Sequence, residues 1–188
     1  MKKNIKYLLL LILSIYTFSC QTTADLLLGS NKIKTFISDD DYFEENFANT
    51  SIERSKLIIP TNDQYVQLSN EIQSDSLNIY YGIVNDYFYS GNQLNMKSCS
   101  GQFQSLYYKV GKDENGLDKQ TLESKSFLKN FDLDKNKKTA IFIYSYKLGS
   151  MSNSKIFDVI NELKQKDSSF DYRIISLDKN DIKNKYGS

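Results

Sequence analysis

The stretch that decides the fold is Thr139–Tyr146, which reads TAIFIYSY. Such a run of apolar, β-branched and aromatic residues is typical of a buried strand. Side chains alternate along a strand, so Ile141 and Ile143 would share one face. Phe142 and Tyr144 would then share the other. Because both faces are apolar, we expect a central strand that is covered on both sides and organises the fold.

The residues after this strand complete a supersecondary unit. The chain turns at Gly149, and the apolar spacing predicts a helix over 152–166. Residues 170–177 (FDYRIISL) then predict a second strand, followed by a short helix or tail over 178–186. Strand, helix and strand in this order indicate a βαβ unit with parallel strands.

The βαβ unit resembles the thioredoxin family, in which an apolar strand runs into a turn and a Cys-x-x-Cys motif opens the next helix. Here the turn reads Lys147-Leu148-Gly149-Ser150-Met151-Ser152 and contains no cysteine. The resemblance implies a shared fold over some forty residues. It does not imply dithiol redox chemistry.

Towards the N-terminus the elements are shorter. We expect an irregular or weakly helical segment over 36–59, ending in a short strand at Leu57–Ile59 that Pro60 stops. Further predictions are a helix over 62–75 capped by Thr61 or Asn62, strands over 77–84, 87–89 and 103–110, and a helix over 121–131. Together these elements predict a single α+β domain with a mixed sheet of four to six strands.

The first residues have the pattern of an export signal. Lys2, Lys3 and Lys6 precede an apolar run that ends at Ser19-Cys20. Thr17-Phe18-Ser19-Cys20 resembles the lipobox of bacterial lipoproteins. That resemblance implies cleavage before Cys20 and acylation of its thiol. Two alternatives are an uncleaved anchor, for which the run is short, and an ordinary cleaved signal.

The lipoprotein interpretation divides the chain into a signal peptide over 1–19, a lipidated tether over 20–35 and a domain over 36–188. Its membrane contact would be through Cys20 alone. Some lipoprotein lineages carry acidic residues directly after the lipidated cysteine as a signal for the cell surface. Here Gln21 follows Cys20 and the acids begin to cluster only at Asp39. We therefore expect the outer membrane, with the domain facing the periplasm.

Composition excludes several classes of function. The sequence contains no histidine, so triads of the Ser-His-Asp and Cys-His types and histidine zinc sites are impossible. Removing residues 1–19 takes three lysines and no acid from 24 basic and 23 acidic residues, which leaves a net charge of about −2. This balance does not favour nucleic acid as a partner.

Four weaker patterns have two interpretations each. Asp39–Asp41 with Glu44 and Glu45 is a divalent-ion cluster or solvated surface. Asp132-x-Asp134-x-Asn136 begins like a calcium loop but has Lys137 where glycine is needed, which favours a polar turn. The turn at Gly149 is an anion site or an ordinary helix cap. Cys99 is an inert or an accessible thiol.

Six tyrosines in and around the predicted strands form a fifth pattern: Tyr80, Tyr81, Tyr87, Tyr89, Tyr107 and Tyr108. They are a binding surface for protein or glycan, the covered faces of a sheet, or tyrosines at ordinary positions that reflect the codon bias of an AT-rich genome. We predict no metal, no cofactor and no catalytic residue. The function expected is that of a non-enzymatic interaction module whose partner is an envelope protein or a glycan. The alternatives are a divergent thioredoxin-fold enzyme or chaperone and an anchored immunity-type inhibitor.

Overall fold

The computed structural model describes residues 34–74, 78–91, 93, 100–125, 127–128, 131, 133 and 137–183. Within them a six-stranded mixed sheet is covered by helices, which confirms the α+β fold class. The strands are β1 (Leu57–Ile58), β2 (Tyr80–Val84), β3 (Phe88–Ser90), β4 (Lys119–Gln120), β5 (Thr139–Tyr144) and β6 (Asp171–Ser176). The helices are α1 (Asp39–Phe47), α2 (Asn62–Ser74), α3 (Ser100–Lys109) and α4 (Gly149–Lys166).

The sheet is ordered β1-β6-β5-β2-β3-β4. The strand β5 pairs in parallel with β6 and antiparallel with β2. The edge strand β1 is parallel to β6, and β3 and β4 continue the other side in antiparallel pairing. The predicted βαβ unit is therefore confirmed as β5-α4-β6, with its two strands adjacent and parallel.

Both faces of β5 are buried, as its sequence predicts. Phe142 and Tyr144 lie in the core between the sheet and α1, α3 and α4. Ile141 and Ile143 lie in a second cluster on the opposite face, beneath Leu68 of α2 and the phenylalanines Phe127 and Phe131. The strand is thus central and covered on both sides.

The helix α2 begins where the sequence predicts. The Gln64 backbone N–H donates to Thr61 Oγ1 at 3.3 Å, and the Thr61 N–H donates to Gln64 Oε1 at 2.8 Å. This reciprocal pair is a capping box, which satisfies backbone donors that the first turn leaves unpaired. The segment 36–59, expected to be irregular or weakly helical, contains α1. Its N-cap Ser38 accepts from the Asp41 N–H, and three aspartates occupy its first turn.

The strand predicted over 103–110 is wrong, because these residues belong to the helix α3. The polar and apolar residues alternate in part, which suggested a strand. Phe103, Leu106, Tyr107 and Val110 also recur at helical spacing, and these four side chains are the buried ones. These four side chains pack against α4 and β2, and that packing favours the helix over the strand.

The α-helix predicted over 121–131 is wrong at its start, where Leu122–Ser124 form a 3-10 turn. Residues 126, 129 and 130 lie outside the described part. Near the C-terminus, Lys179–Asp181 form a short 3-10 helix, and Ile182 then pairs in parallel with Phe36. Among the described residues, no helix has the length and apolar content to cross a membrane.

Candidate functional site

A groove of about 430 Å³ lies at the N-terminal end of α4, next to the carboxyl end of β5. In open sheets with parallel strands and a crossover helix, ligands bind beyond the carboxyl ends of the strands. We call this depression the α4 groove. Its floor and one wall come from β5 and α4, and α1 supplies Glu45 and Asn46 to the other wall.

The turn between β5 and α4 positions the groove. Ser145 follows the last residue of β5, and its Oγ accepts from the Lys147 N–H at 3.2 Å, which caps the 3-10 helix Tyr146–Leu148. Gly149 follows with φ of 80°, a left-handed backbone that favours glycine. The helix α4 therefore begins at Gly149, three residues earlier than the spacing predicts.

No side chain caps the N-terminus of α4, whose N-cap residue is Leu148. Within the same turn, Ser145 caps the preceding 3-10 helix, and the choice between a helix cap and an anion site at Gly149 stays a prediction. Ser150, Asn153 and Ser154 all line the groove, since residues three and four apart share one face of a helix.

Asn153 is the most informative residue of the groove. Its side chain is only 6% exposed, and its Nδ2 donates to the Ser145 carbonyl at 3.0 Å. Because only the nitrogen of an amide can donate, this bond identifies which atom is Nδ2 and which is Oδ1. The Oδ1 atom is sealed from solvent and has no hydrogen-bond partner. Leaving a buried acceptor without a hydrogen bond costs about 1–3 kcal/mol.

Aromatic rings form the rest of the wall. The ring of Tyr144 stacks on Phe157 with centroids 6.1 Å apart, and its hydroxyl donates to Asn46 Oδ1 at 3.2 Å. Burial, with the nearby charge of Asp178, raises the pKa of Tyr144. Tyr144 is therefore a neutral hydrogen-bonding group throughout the physiological range.

The mouth of the groove is polar and electrically balanced. Lys34 and Glu45 form an ion pair of 2.5 Å across it, and both side chains are about half exposed. The Lys34 backbone N–H also donates to the hydroxyl of Tyr146 at 3.0 Å. The segment that enters the domain is thereby attached to the groove.

A buried polar network lies beneath the groove and centres on Asp178, which is 1% exposed. Its carboxylate accepts from the Tyr42 hydroxyl at 2.7 Å, from the Tyr146 N–H at 2.8 Å and from the Ser145 hydroxyl. Ser176 donates to the Tyr42 oxygen at 2.8 Å. Burial raises the pKa of Asp178 above its usual range even though these hydrogen bonds oppose the shift.

The network contains groups that could act as a general acid or base, but a substrate cannot reach them. A general acid or base has to come within hydrogen-bond reach of the substrate. Ser145, Asp178 and Tyr42 are all buried and already bonded to one another. Their role is to join α1, the end of β5 and the end of β6, which fixes the walls of the groove.

The acidic cluster near residue 40 serves local structure. Asp41 accepts from the Ile37 N–H at 2.9 Å, Asp40 pairs with Arg54 at 3.4 Å, and Glu45 pairs with Lys34. Among the described residues, no group of three or more Asp, Glu, His or Cys side chains is placed to hold a metal ion. Cys20, Cys99, Asp132, Asp134 and Asn136 lie outside the described residues.

The tyrosine surface is not formed. Tyr80, Tyr89 and Tyr107 are buried, and Tyr81 and Tyr108 are half-buried. Only Tyr87 of the six is exposed, at 37%. The covered-sheet interpretation holds for Tyr80, Tyr81 and Tyr89, which lie in β2 and β3, whereas Tyr107 and Tyr108 belong to the helix α3.

Sequence reasoning missed Asn46 and Asn153. Neither residue stands out in a chain rich in asparagine, and neither belongs to a motif. The one available signal was the cluster of serines with Asn153 over residues 150–154, in the turn and helix that follow a buried strand. Comparison with protein-family models, with curated proteins and with solved structures found no match to this chain.

Proposed function

We propose that this protein is an exported lipoprotein, anchored through Cys20, that binds a ligand in the α4 groove without chemical conversion. The unpaired Oδ1 of Asn153, held in place beside the groove by the bond from Nδ2 to Ser145, carries the proposal. A ligand that donates a hydrogen bond to this atom would recover the cost of leaving it unsatisfied. Because the atom is sealed, binding requires a small displacement of the lining.

The lining favours a neutral ligand rich in hydroxyl or amide groups. It contains the amides of Asn46 and Asn153 and the hydroxyls of Ser150 and Ser154, beside the aromatic ring of Phe157, and the unpaired atom among these is Asn153 Oδ1. The opposite charges of Lys34 and Glu45 cancel at the mouth. A largely apolar wall with a few placed polar groups is typical of small-ligand sites. We therefore propose a glycan of the cell envelope as the ligand.

The position of the tether is consistent with such a ligand. Lys34 lines the groove and lies fourteen residues after Cys20. A fully extended segment of this length reaches about 50 Å, at about 3.3–3.6 Å per residue. An anchor at Cys20 would keep the groove within that distance of the membrane, where envelope glycans are concentrated.

The test is a titration of the protein with neutral envelope glycan fragments, followed through backbone amide chemical shifts. We expect shifts at Ser150–Ser154 and loss of at least about tenfold in affinity for Asn153→Ala, the scale of one hydrogen bond. Asn161→Ala is the matched control, because Asn161 lies on the same helix outside the groove. A thermal melt establishes that both variants are folded.

Two outcomes would contradict the proposal. The first is an absence of shifts at Ser150–Ser154 with every fragment. The second is an equal loss of affinity in Asn153→Ala and Asn161→Ala. A parallel titration with short peptides separates the partners, because shifts with the peptides and none with the glycans would identify a protein as the partner and overturn the glycan assignment.

A further inference from the structure

The loop between α3 and β4 contains Asn115, the one asparagine in the sequence that a glycine follows. The Leu117 N–H donates to the Glu114 carbonyl at 3.0 Å, so Asn115 and Gly116 are the two central residues of a β-turn. Gly116 has a φ of 75°, a left-handed backbone that glycine adopts at no steric cost. We call residues 114–117 the Asn115 turn.

The Asn115 turn is open to solvent. Asn115 and Gly116 are both exposed. A Cβ atom placed on Gly116 would meet no atom within 4 Å apart from its chain neighbours. Among the residues that the structure describes, none accepts a hydrogen bond from the Gly116 N–H. The backbone nitrogen of Gly116 is therefore neither covered nor engaged.

The side chain of Asn115 is held by one exposed contact. Its Nδ2 donates to Asp113 Oδ1 at 3.0 Å, and the same oxygen accepts from the Asn115 backbone N–H at 3.4 Å. Breaking one hydrogen bond to a carboxylate changes a population by about a hundredfold at most. The amide can therefore leave Asp113 and turn toward Gly116 without any unfolding of the domain.

An asparagine amide next to an unhindered backbone nitrogen can react within the chain. The Gly116 nitrogen bonds to Asn115 Cγ, and the bond between Cγ and Nδ2 breaks. The proton of the Gly116 nitrogen leaves with Nδ2 as ammonia, which gives a five-membered succinimide. Water then opens the ring at either carbonyl and leaves aspartate or isoaspartate at this position. Each conversion adds one negative charge between Asp113 and Glu114.

We propose that Asn115 is a site of spontaneous deamidation in the folded protein. Two other asparagines, Asn46 and Asn161, lie within helices, where the next backbone N–H is occupied by the helical hydrogen bond. Phe47 and Glu162 follow them, and the Cβ of such a residue crowds the attacking nitrogen. Neither obstacle exists at Asn115. The modification lies outside the α4 groove, so it does not depend on the proposed glycan.

The experiment incubates the full chain in neutral detergent at mildly alkaline pH. Peptide mass spectrometry measures conversion at residue 115, and enzymatic methylation of isoaspartate detects the iso product. Gly116→Ala places a Cβ beside the attacking nitrogen. Gly111→Ala is the matched control, because Gly111 lies in the same loop with a φ of 79° but follows Val110. Both variants introduce the same left-handed strain, and thermal melts establish that both are folded.

We expect conversion at residue 115 in the folded wild type, at a rate no more than about a hundredfold below that of the urea-unfolded chain. Gly116→Ala should slow it by about tenfold or more, and Gly111→Ala should change it by less than about threefold. The rate should rise with pH, because the attacking nitrogen must lose its proton. Conversion in the unfolded chain alone, equal effects of the two variants, or faster conversion at Asn46 or Asn161 would overturn the proposal.

Discussion

Tyr42 and Asp178 lie 136 positions apart in the sequence and share a hydrogen bond of 2.7 Å between the tyrosine hydroxyl and the carboxylate. Both side chains are buried. The bond joins α1, near the start of the domain, to the segment just after β6. The α4 groove lies above this junction, so its shape depends on a contact between the two ends of the domain.

Replacing Tyr42 by Phe should reduce the free energy of unfolding by about 1–3 kcal/mol, because Asp178 and Ser176 each lose a buried partner. Urea denaturation measures the change. Tyr65→Phe, on the half-buried surface of α2, is the control and should change stability by less than about 0.5 kcal/mol. Equal effects in the two variants would show that the network contributes nothing specific.

The stability conferred by Asp178 should rise as the pH falls. Burial raises the pKa of Asp178 in the folded state, so the fold binds the proton more tightly than the unfolded chain, whose aspartates titrate near pH ~3.9. Its contribution is fully present below that value and is lost as pH rises through the raised pKa. Relative to Asp178→Asn, the wild type should gain stability between pH 7 and pH 4.

Asp171, at the other end of β6, is a control whose effect on stability should change with pH in the opposite direction. Its burial would raise its pKa, but the hydrogen bond from Lys56 and the charge of Arg173 outweigh burial and hold the pKa low. Its contribution is present above the unfolded pKa and is lost as pH falls through the folded one. Relative to Asp171→Asn, the wild type should therefore lose stability on acidification. Urea denaturation at pH 7 and pH 4 measures the wild type against each Asn variant. The same change of stability with pH in both comparisons would contradict the two pKa directions.

Truncating Ile143 to Ala should destabilise the domain by about 2–5 kcal/mol, the usual range for removing a buried aliphatic chain. Ile143 is fully buried on the central strand β5. Ile37→Ala provides the comparison, because Ile37 is 65% exposed and its loss should cost less than about 0.5 kcal/mol. A mild effect of Ile143→Ala in denaturant melts would place β5 outside the organising core.

The thiol of Cys20 should be acylated, and the mature chain should begin there. The expectation rests on the charged and apolar leader that ends at Ser19-Cys20. The intact mass of the membrane-extracted protein measures it, with Cys20→Ala as the comparison. A mature N-terminus elsewhere, or undiminished membrane retention of the variant, would contradict it.

The parts of the fold that were predictable are those with one dominant pattern. Thr139–Tyr144 is apolar on both faces, and only a covered strand accommodates that. The apolar residues of Phe103–Val110 fit both the alternation of a strand and the spacing of a helix. Contacts with α4 and β2 favour the helix. No local pattern contains that information.

The candidate site was less predictable than the fold. Asn153 is important because its Nδ2 reaches Ser145, eight residues earlier, while its Oδ1 has no partner. Both facts depend on the turn at Gly149 and on the approach of α1. Likewise, only the packing of α3 against α4 brings Lys112 and Lys166 to the same depression.

The pairing of Phe36 with Ile182 has a mechanical consequence. The Phe36 N–H donates to Asp181 at 2.8 Å, and the Lys183 N–H donates to the Phe36 carbonyl at 2.7 Å. Because the two segments run parallel, the chain enters at one end of this contact and leaves at the other. A pull on the tether against a load attached beyond Lys183 would therefore stretch both bonds together in shear, rather than peel them apart in turn. Tension applied at Lys34 and Lys183 would be transmitted from one segment to the other without passing through the sheet.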